Sequence, residues 1–232
     1  VMKAVLVAVL AVAWVVVAAT PASAVQLQPG YVDEPVANVG APTAVDFTPD
    51  GRMLVIDKAG VLLNYGVDSS APAVFAWDIR SRVCPDNERG LLGLAVDPDY
   101  LMTRWVYVFY TRRVNQCGTG TFQPPVERVS RVTIDAFGRV DPASEVVLLD
   151  GIPNRLGIHN AGDLQFGPDK NLYVSTGDGG CDYAGTGCGD TNDAARDRHS
   201  LVGKVLRITR SGGIPAGNGF AGVRCNTGNA SA

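Results

Sequence analysis

The sequence predicts an all-β protein of the β-propeller class. One unit occurs three times: an alternating apolar strand, a Pro-Asp turn, and a strand rich in aromatic and β-branched residues. Its prolines, Pro49, Pro98 and Pro168, lie 49 and 70 residues apart. Blades of about 40–50 residues with loop insertions would give this spacing. No long stretch has the period of an amphipathic helix. We expect about three to four blades, and a β-sandwich is the structural alternative.

The predicted strands are short and are separated by turns of recognisable chemistry. In the turn at 48–51, proline presets φ, aspartate caps the turn and glycine accepts a positive φ. Only residues 192–202 have a pattern compatible with one or two helical turns, with Asn192 as N-cap. The predicted strands are 44–47, 53–57, 61–65, 73–77, 94–97, 105–110, 126–134, 164–166, 172–176 and 200–208.

The N-terminal segment reads as a secretory signal peptide covering residues 1–24. Lys3 supplies a basic start, residues 4–19 are uncharged and apolar, and Ala22-Ser23-Ala24 matches a cleavage pattern. The apolar run is shorter than the roughly 20 residues of a spanning helix, so we expect no stable membrane span after cleavage. Val1 before Met2 indicates an alternative start codon and hence a bacterial gene. We expect a secreted or extracytoplasmic protein, with a lead-in at 25–42 and one domain at 43–232.

Composition excludes some partners. The chain has 20 basic and 23 acidic residues, a formal net charge of −3, which argues against nucleic acid as a partner. No basic amphipathic helix points to a membrane surface. The spacing of the five cysteines, together with the scarcity of histidine, does not fit a zinc site.

Export makes disulfides permissible. Cys181 and Cys188 enclose a short glycine-rich loop, and we expect them to pair. Cys84 with Cys117 would form the second bridge. Cys225 then remains without a partner in the sequence.

His159 is one of only two histidines, on a loop that directly precedes a predicted hairpin. A neutral imidazole on a loop held by a rigid sheet can act as a general base. From composition alone, a loop histidine that hydrogen-bonds the backbone is the favoured interpretation. The second histidine, His199, reads as structural.

Two further stretches carry polar side chains. Glu88 and Arg89 lie at a loop-to-strand junction, where either can face a central pocket or form an ordinary surface ion pair. Residues 178–197 are rich in glycine and aspartate, and carboxylate oxygens are calcium ligands. Their spacing does not match an EF-hand. A solvated, disulfide-stapled loop is the favoured interpretation over a calcium site. The aspartates concerned are Asp178, Asp182, Asp190, Asp193 and Asp197.

Several motifs occur in order along the chain. They are ERGLLGLAVDP at 88–98, HNAG at 159–162, FGPD at 166–169, LYVSTGD at 172–178, NDAARD at 192–197, GKVLRI at 203–208 and IPAGN at 214–218. Together these motifs resemble those of the soluble pyrroloquinoline quinone (PQQ)-dependent glucose/sorbosone dehydrogenase family. The resemblance covers nearly all of residues 40–222.

The resemblance implies a six-bladed propeller with PQQ on its axis, held with help from calcium. It implies an aldose sugar as substrate and an external electron acceptor. The family's base maps onto His159, which would take the sugar C1 hydroxyl proton while hydride passes to the quinone. A family residue near the cofactor maps onto Glu88, and we expect Arg89 and Asn160 to bind the cofactor with it.

The sequence also departs from the family pattern. The best-studied branch has an aspartate before the histidine, which orients it, and here Ile158 stands there; Ala161 replaces a glycine. The family's R-N-P motif, later basic residues and most calcium ligands are not found in this sequence. We therefore expect a truncated or fragmentary member, seen as its N-terminal half. The alternative function is a non-catalytic secreted propeller that binds carbohydrate or protein.

Overall fold

A computed structural model describes residues 28–32, 34–66, 73–119, 123–154, 156–180 and 193–219. Within these ranges regular structure is almost entirely β, with short helices α1 (Tyr100–Thr103) and α2 (Asp193–Arg196) and one 3₁₀ turn (Pro142–Ser144). The strands are β1 (Pro42–Phe47), β2 (Met53–Asp57), β3 (Val61–Tyr65), β4 (Val74–Asp78), β5 (Leu91–Val96), β6 (Trp105–Arg112), β7 (Val126–Thr133), β8 (Val146–Pro153), β9 (Ala161–Phe166), β10 (Leu172–Thr176) and β11 (Lys204–Ile208).

The strands form three antiparallel sheets, which confirms the all-β prediction. Their orders are β1-β2-β3-β4, β5-β6-β7-β8 and, within the described residues, β11-β10-β9. The first strands of the sheets neighbour one another, since β1 packs near β5 and β5 near β9. Sequential four-stranded meanders with adjacent first strands are the arrangement of propeller blades.

The three Pro-Asp turns do not all fold alike. After Pro49 the chain makes the predicted tight turn, in which Gly51 has a φ of 84° and its N–H donates to Thr48 O at 2.9 Å. After Pro98 the chain instead forms α1, which ends at Arg104 in the left-handed conformation. In the third turn the left-handed position is occupied by Lys170, with a φ of 57°. The shared Pro-Asp dipeptide therefore follows the first strand of each sheet, but it does not specify a single type of turn.

Two apolar cores lie between the sheets, and β6 contributes side chains to both. Side chains alternate along a strand, so Val106, Val108 and Tyr110 enter the core shared with the first sheet. Tyr107 and Phe109 enter the core shared with the third sheet. All five are fully buried. A strand that is apolar on both faces fits the middle layer of a stack of sheets.

Residues 38–232 form one compact unit that contains all three sheets. The described part of residues 1–37 has no helix or strand. The predicted signal peptide lies outside the described residues, and β1 begins at Pro42, next to the predicted domain start. The helix predicted at 192–202 is a single turn, α2, and β8 is a strand that the Pro-Asp repeat does not mark. None of the described helices is long and apolar enough to cross a membrane.

Candidate active site

His159 lies where the chain enters the third sheet, directly before β9. Its backbone φ is 55° and that of Ala161 is 54°, values uncommon for residues with a Cβ. Its N–H donates to Glu88 Oε2 at 2.6 Å, which ties the loop to the start of the second sheet. The imidazole remains 44% exposed. A strained backbone that is held in place while its side chain stays accessible is a common property of functional sites.

A β-bulge aims His159 at an aspartate. In the β9–β10 hairpin, Val174 pairs with Leu164 but Thr176 pairs with Ala161, so β9 carries one extra residue. With the shifted register, the residue that lies opposite His159 beyond the strand ends is Asp178. His159 Nδ1 and Asp178 Oδ1 are 2.8 Å apart. Bulges re-aim side chains in this way near active sites.

The contact between His159 and Asp178 decides which ring nitrogen carries the proton. An ionised carboxylate only accepts hydrogen bonds, so we assign the proton of a neutral His159 to Nδ1. Nε2 then carries the ring's lone pair, as a general base requires. Asp178 is itself held, because the Gly180 N–H donates to the same Oδ1 at 3.1 Å. The Asp178 carboxylate is thus placed to orient the His159 ring, although Ile158 directly precedes the histidine.

Glycines allow the chain around His159 to pack closely between its neighbours. A Cβ on Gly177 would lie 1.5 Å from His159 O, and one on Gly93 would lie 1.9 Å from Gly162 O. Both distances are far below any tolerated contact, and both involve backbone atoms. Gly177 also donates its N–H to Asn160 O at 3.0 Å. The glycines of the GLLG and TGD motifs therefore have a steric explanation, which is the close approach of backbone to backbone.

Arg89 is buried, in contrast to the exposed Glu88. Its side chain is 0% exposed. Nη1 donates to Asp86 Oδ2 at 2.9 Å and to Gly118 O at 3.1 Å, and Nη2 donates to Asn154 O at 2.6 Å. These contacts hold Arg89 in the interior, and its expected place beside the cofactor stays a prediction.

Asn160, the third expected cofactor residue, is 5% exposed. Its Oδ1 accepts a hydrogen bond from Asn154 Nδ2 at 2.5 Å. Asn154 Nδ2 also donates to Glu127, whose carboxylate accepts from Thr111 Oγ1 at 2.9 Å. The burial of Glu127 could not be predicted from the sequence, because Glu127 lies in a strand of alternating side chains and resembles an ordinary outward-facing residue.

Glu127 is the unusual member of this polar cluster. Burial raises its pKa to about 7, even though hydrogen bonds from Asn154 and Thr111 and the charge of Arg89 act in the opposite direction. A carboxylic acid that titrates near neutrality behind a candidate base is a feature of functional sites.

The Cys84–Cys117 disulfide is present. It lies next to the Arg89 cluster, because Asp86 and Gly118, which both contact Arg89, are close to the two cysteines in sequence. Cys181, Cys188 and Cys225 lie outside the described residues. Among the described residues, the one convergence of possible metal ligands is Cys84, Asp86 and Cys117. Sulfurs joined in a disulfide cannot bind as thiolates, so this group does not suit a metal.

The acidic glycine-rich loop falls mostly outside the described residues. Of its five aspartates, the structure describes the side chains of two. Asp178 contacts His159, as above. Asp197 contacts His199, whose Nδ1 lies 3.0 Å from Asp197 Oδ1. The structure therefore leaves the calcium interpretation as a prediction.

The fold and the site together define a class: a β-propeller that presents a carboxylate-oriented histidine where the third sheet begins. Comparison with known proteins gives the family. The glucose/sorbosone dehydrogenase family model matches residues 39–229, and this chain belongs to that family.

Three relatives illustrate the match. A PQQ-bound aldose sugar dehydrogenase from Streptomyces coelicolor is 29% identical, with a TM-score of 0.64 over 81% of this chain and 50% of that chain. The quinoprotein glucose dehydrogenase B of Acinetobacter calcoaceticus is 28% identical over 81% of this chain and 41% of its own length. Human Hedgehog-interacting protein is 29% identical over 64% of this chain and 22% of its own length. The chain thus spans half or less of the length of each of these relatives, and its three sheets match half of a six-bladed propeller.

Proposed function

We propose that this protein is an exported PQQ-dependent oxidoreductase that oxidises the C1 hydroxyl of aldose sugars, with His159 as general base. One observation carries the proposal: Asp178 holds His159 Nδ1 at 2.8 Å on an exposed ring, within a member of the glucose/sorbosone dehydrogenase family. Homologues of this chain are quinoprotein glucose and aldose dehydrogenases.

The residues present fit part of a quinone site. Glu88 is exposed, and one of its oxygens anchors the His159 backbone. Asn160 Nδ2 is a buried donor without a hydrogen-bond partner among the described residues, an unusual cost that functional sites accept. Glu88 and Asn160 are therefore the residues of this chain that we expect to border the cofactor. Arg89 lies in the interior and donates to Asn154, which in turn donates to Asn160. Calcium binding stays a prediction, because Asp182 and Asp190 of the acidic loop lie outside the described residues.

When bound, PQQ would supply a two-electron acceptor for hydride. The chain contributes the proton transfer. His159 Nε2 takes the proton of the C1 hydroxyl as the C1–H bond breaks, so the C–O single bond becomes a carbonyl and the sugar leaves as its lactone. Asp178 stabilises the imidazolium that forms, since its carboxylate faces the Nδ1 proton. The proton then passes to solvent, which the exposed ring can reach.

The test is reconstitution. Full-length protein, expressed with any in-frame continuation after residue 232, is loaded with PQQ and calcium, and aldose oxidation is followed by reduction of an artificial electron-accepting dye. We expect turnover that is slower with C1-deuterated sugar. No dye reduction together with unchanged quinone absorbance on adding sugar would exclude the enzyme interpretation.

Export is a separate part of the proposal. The apolar run at 4–19 and the Ala22-Ser23-Ala24 site support it. N-terminal sequencing of the exported protein should begin at Val25. A product that retains residues 1–24 would contradict it.

A second candidate is a non-catalytic propeller that binds carbohydrate or protein. The similarity to Hedgehog-interacting protein, which is named for binding rather than catalysis, favours it. Saturable binding of a sugar or protein without any dye reduction after PQQ loading would support this candidate against the first.

A further inference from the structure

A buried polar chain links the interior of the second sheet to the residue after His159. Glu127, on β7, is 2% exposed and Asn154, at the end of β8, is 1% exposed. Asn154 Nδ2 donates both to Glu127 Oε1 and to Asn160 Oδ1. Asn160 O accepts from Gly177 N–H, beside the loop that carries Asp178.

The amide of Asn154 has one permitted orientation. Its Oδ1 accepts from the Gly157 N–H at 3.0 Å and lies 3.4 Å from Arg89 Nε, so both groups on that side are donors. On the other side lie two acceptors, the Glu127 carboxylate and Asn160 Oδ1. A rotated amide would place donor against donor and acceptor against acceptor, which is costly in the interior. Glu127, on the acceptor side, and the Gly157 N–H and Arg89 Nε, on the donor side, together fix the direction of this chain of hydrogen bonds.

The arrangement costs stability. Glu127 is an acid held in the interior, and Asn160 Nδ2 has no hydrogen-bond partner among the described residues. An apolar side chain at position 127 would avoid the cost of the buried acid. Features that oppose stability are expected at functional sites.

We propose that Glu127 is a positioning residue for His159: through Asn154 it anchors Asn160 and thereby holds the imidazole against Asp178. The acceptor geometry of the Glu127 carboxylate does this, and its charge is not required. The consequence for turnover rests on the proposed function, whereas the consequence for the ring of His159 does not.

The charged groups around Glu127 are few among the described residues. Arg89 is the charged neighbour that acts on it, and Asp86 lies on the far side of Arg89. Its remaining contacts, Thr111 and Asn154, do not titrate. A change of charge at position 127 can therefore be separated from a change of shape.

The experiment uses three substitutions at position 127. Glu127→Gln keeps a carbonyl acceptor at the same reach and removes the charge. Glu127→Asp keeps the charge and withdraws the carboxylate by one methylene. Glu127→Leu removes the acceptor. The matched control is Asn64→Leu, which removes a side chain that is 1% exposed and donates to Gly138 O at 3.0 Å in the first sheet.

The readout is the ring ¹⁵N spectrum of His159, without any cofactor. The chain has two histidines, so His199→Gln leaves one imidazole to observe. In the parent protein we expect neutral His159 predominantly protonated at Nδ1. Glu127→Gln and Asn64→Leu should keep that tautomer ratio. Glu127→Asp and Glu127→Leu should lower it by about tenfold, the scale of one hydrogen bond to a charged group.

A ratio that follows charge, retained in Glu127→Asp and lost in Glu127→Gln, would overturn the proposal. So would an unchanged ratio in Glu127→Asp and Glu127→Leu, and if the leucine variant does not fold, the aspartate variant alone decides. In PQQ-loaded protein, Glu127→Asp and Glu127→Leu should also lower kcat by about tenfold, with KM little changed. Loss of all turnover in the parent protein would count against the proposed function and would leave the ring measurement to judge Glu127.

Discussion

Each of the two histidines of the chain has an aspartate oxygen beside its Nδ1, but the two pairs lie in different surroundings. His199 Nδ1 lies 3.0 Å from Asp197 Oδ1, and its N–H donates to the same oxygen at 2.8 Å. This is a local turn between residues two apart in sequence, of the kind that aspartate forms readily. His159 Nδ1 lies 2.8 Å from Asp178, 19 residues away, and its N–H reaches Glu88, 71 residues away.

The difference shows what makes a histidine–aspartate pair a candidate site. Both rings are accessible, with side chains 44% exposed for His159 and 58% for His199. Of the two, only His159 has a left-handed backbone, a close approach from a glycine (Gly177) and a buried polar chain that ends on the next residue, Asn160. A histidine–aspartate contact alone therefore says little about function, whereas the tertiary structure that holds the contact indicates a candidate site.

The largest contrast should come from removing each ring in turn. His159→Ala is expected to lower kcat of the PQQ-loaded protein by about a thousandfold, since it removes the proposed general base. His199→Ala should change kcat less than about twofold because its contacts are local. Dye-linked assays measure both, and PQQ binding should survive in each. Equal losses in the two variants would show that the comparison has no functional meaning.

The second contrast tests the backbone that presents His159. Gly177→Ala places a Cβ 1.5 Å from His159 O, so either the loop moves or the strand end does. We expect a loss of unfolding free energy of about 3 kcal/mol or more, in the range of severe steric substitutions. Gly219→Ala is the control, since no atom lies within 4 Å of its Cβ position. Chemical denaturation distinguishes them; a fully stable Gly177→Ala would refute the close approach.

The third contrast is in pH dependence. Burial raises the pKa of Glu127 from 4.5 to about 7. The folded state therefore binds a proton more tightly than the unfolded state, and stability falls as pH rises from about 4.5 to 7. Relative to Glu127→Gln, the parent protein should lose roughly 3 kcal/mol across that window.

Denaturation midpoints at several pH values measure this slope. Glu145→Gln is the control. Burial alone would raise the pKa of Glu145, but hydrogen bonds from Arg82 and Tyr110 hold it below its ordinary value, so its titration lies below the window. Parallel pH profiles for the parent protein and Glu127→Gln would contradict the buried acid.

The smallest contrast concerns the aspartates. Asp178→Asn should lower kcat by about tenfold to a hundredfold, because a neutral amide stabilises the imidazolium less and permits the other tautomer. Asp197→Asn should leave kcat within about twofold. The same ring ¹⁵N spectra report whether the tautomer of each histidine changed. A larger effect from Asp197 than from Asp178 would reverse the assignment.

The sequence predicts the fold better than it predicts the site. Alternation and Pro-Asp turns locate most strands because those signals are local. The HNAG motif and its family resemblance predict His159 as the base, and this role stays a prediction. Asp178 was missed as its partner because of the bulge in β9. The register set at Val174 and Leu164 would place Gly179 opposite His159, and the one-residue shift substitutes Asp178.

The buried cluster was unpredictable for a different reason. Arg89 and Asn154 are 65 residues apart, and Glu127 and Asn154 are 27 apart. No pattern within a strand distinguishes a polar side chain that is satisfied in the interior from one that faces water. Arg89 was accordingly expected at the cofactor, and its complete burial appears only once β5 and β8 share a sheet.

The close approach of Gly93 and Gly177 to the chain around His159 has a practical consequence for protein engineering. Mutant libraries that aim at new sugar specificity usually randomise every position near the reacting group. Here the backbone atoms His159 O and Gly162 O leave no room for any side chain at those two positions. Libraries that hold Gly93 and Gly177 constant and vary an exposed position such as Leu156 would avoid these two backbone clashes.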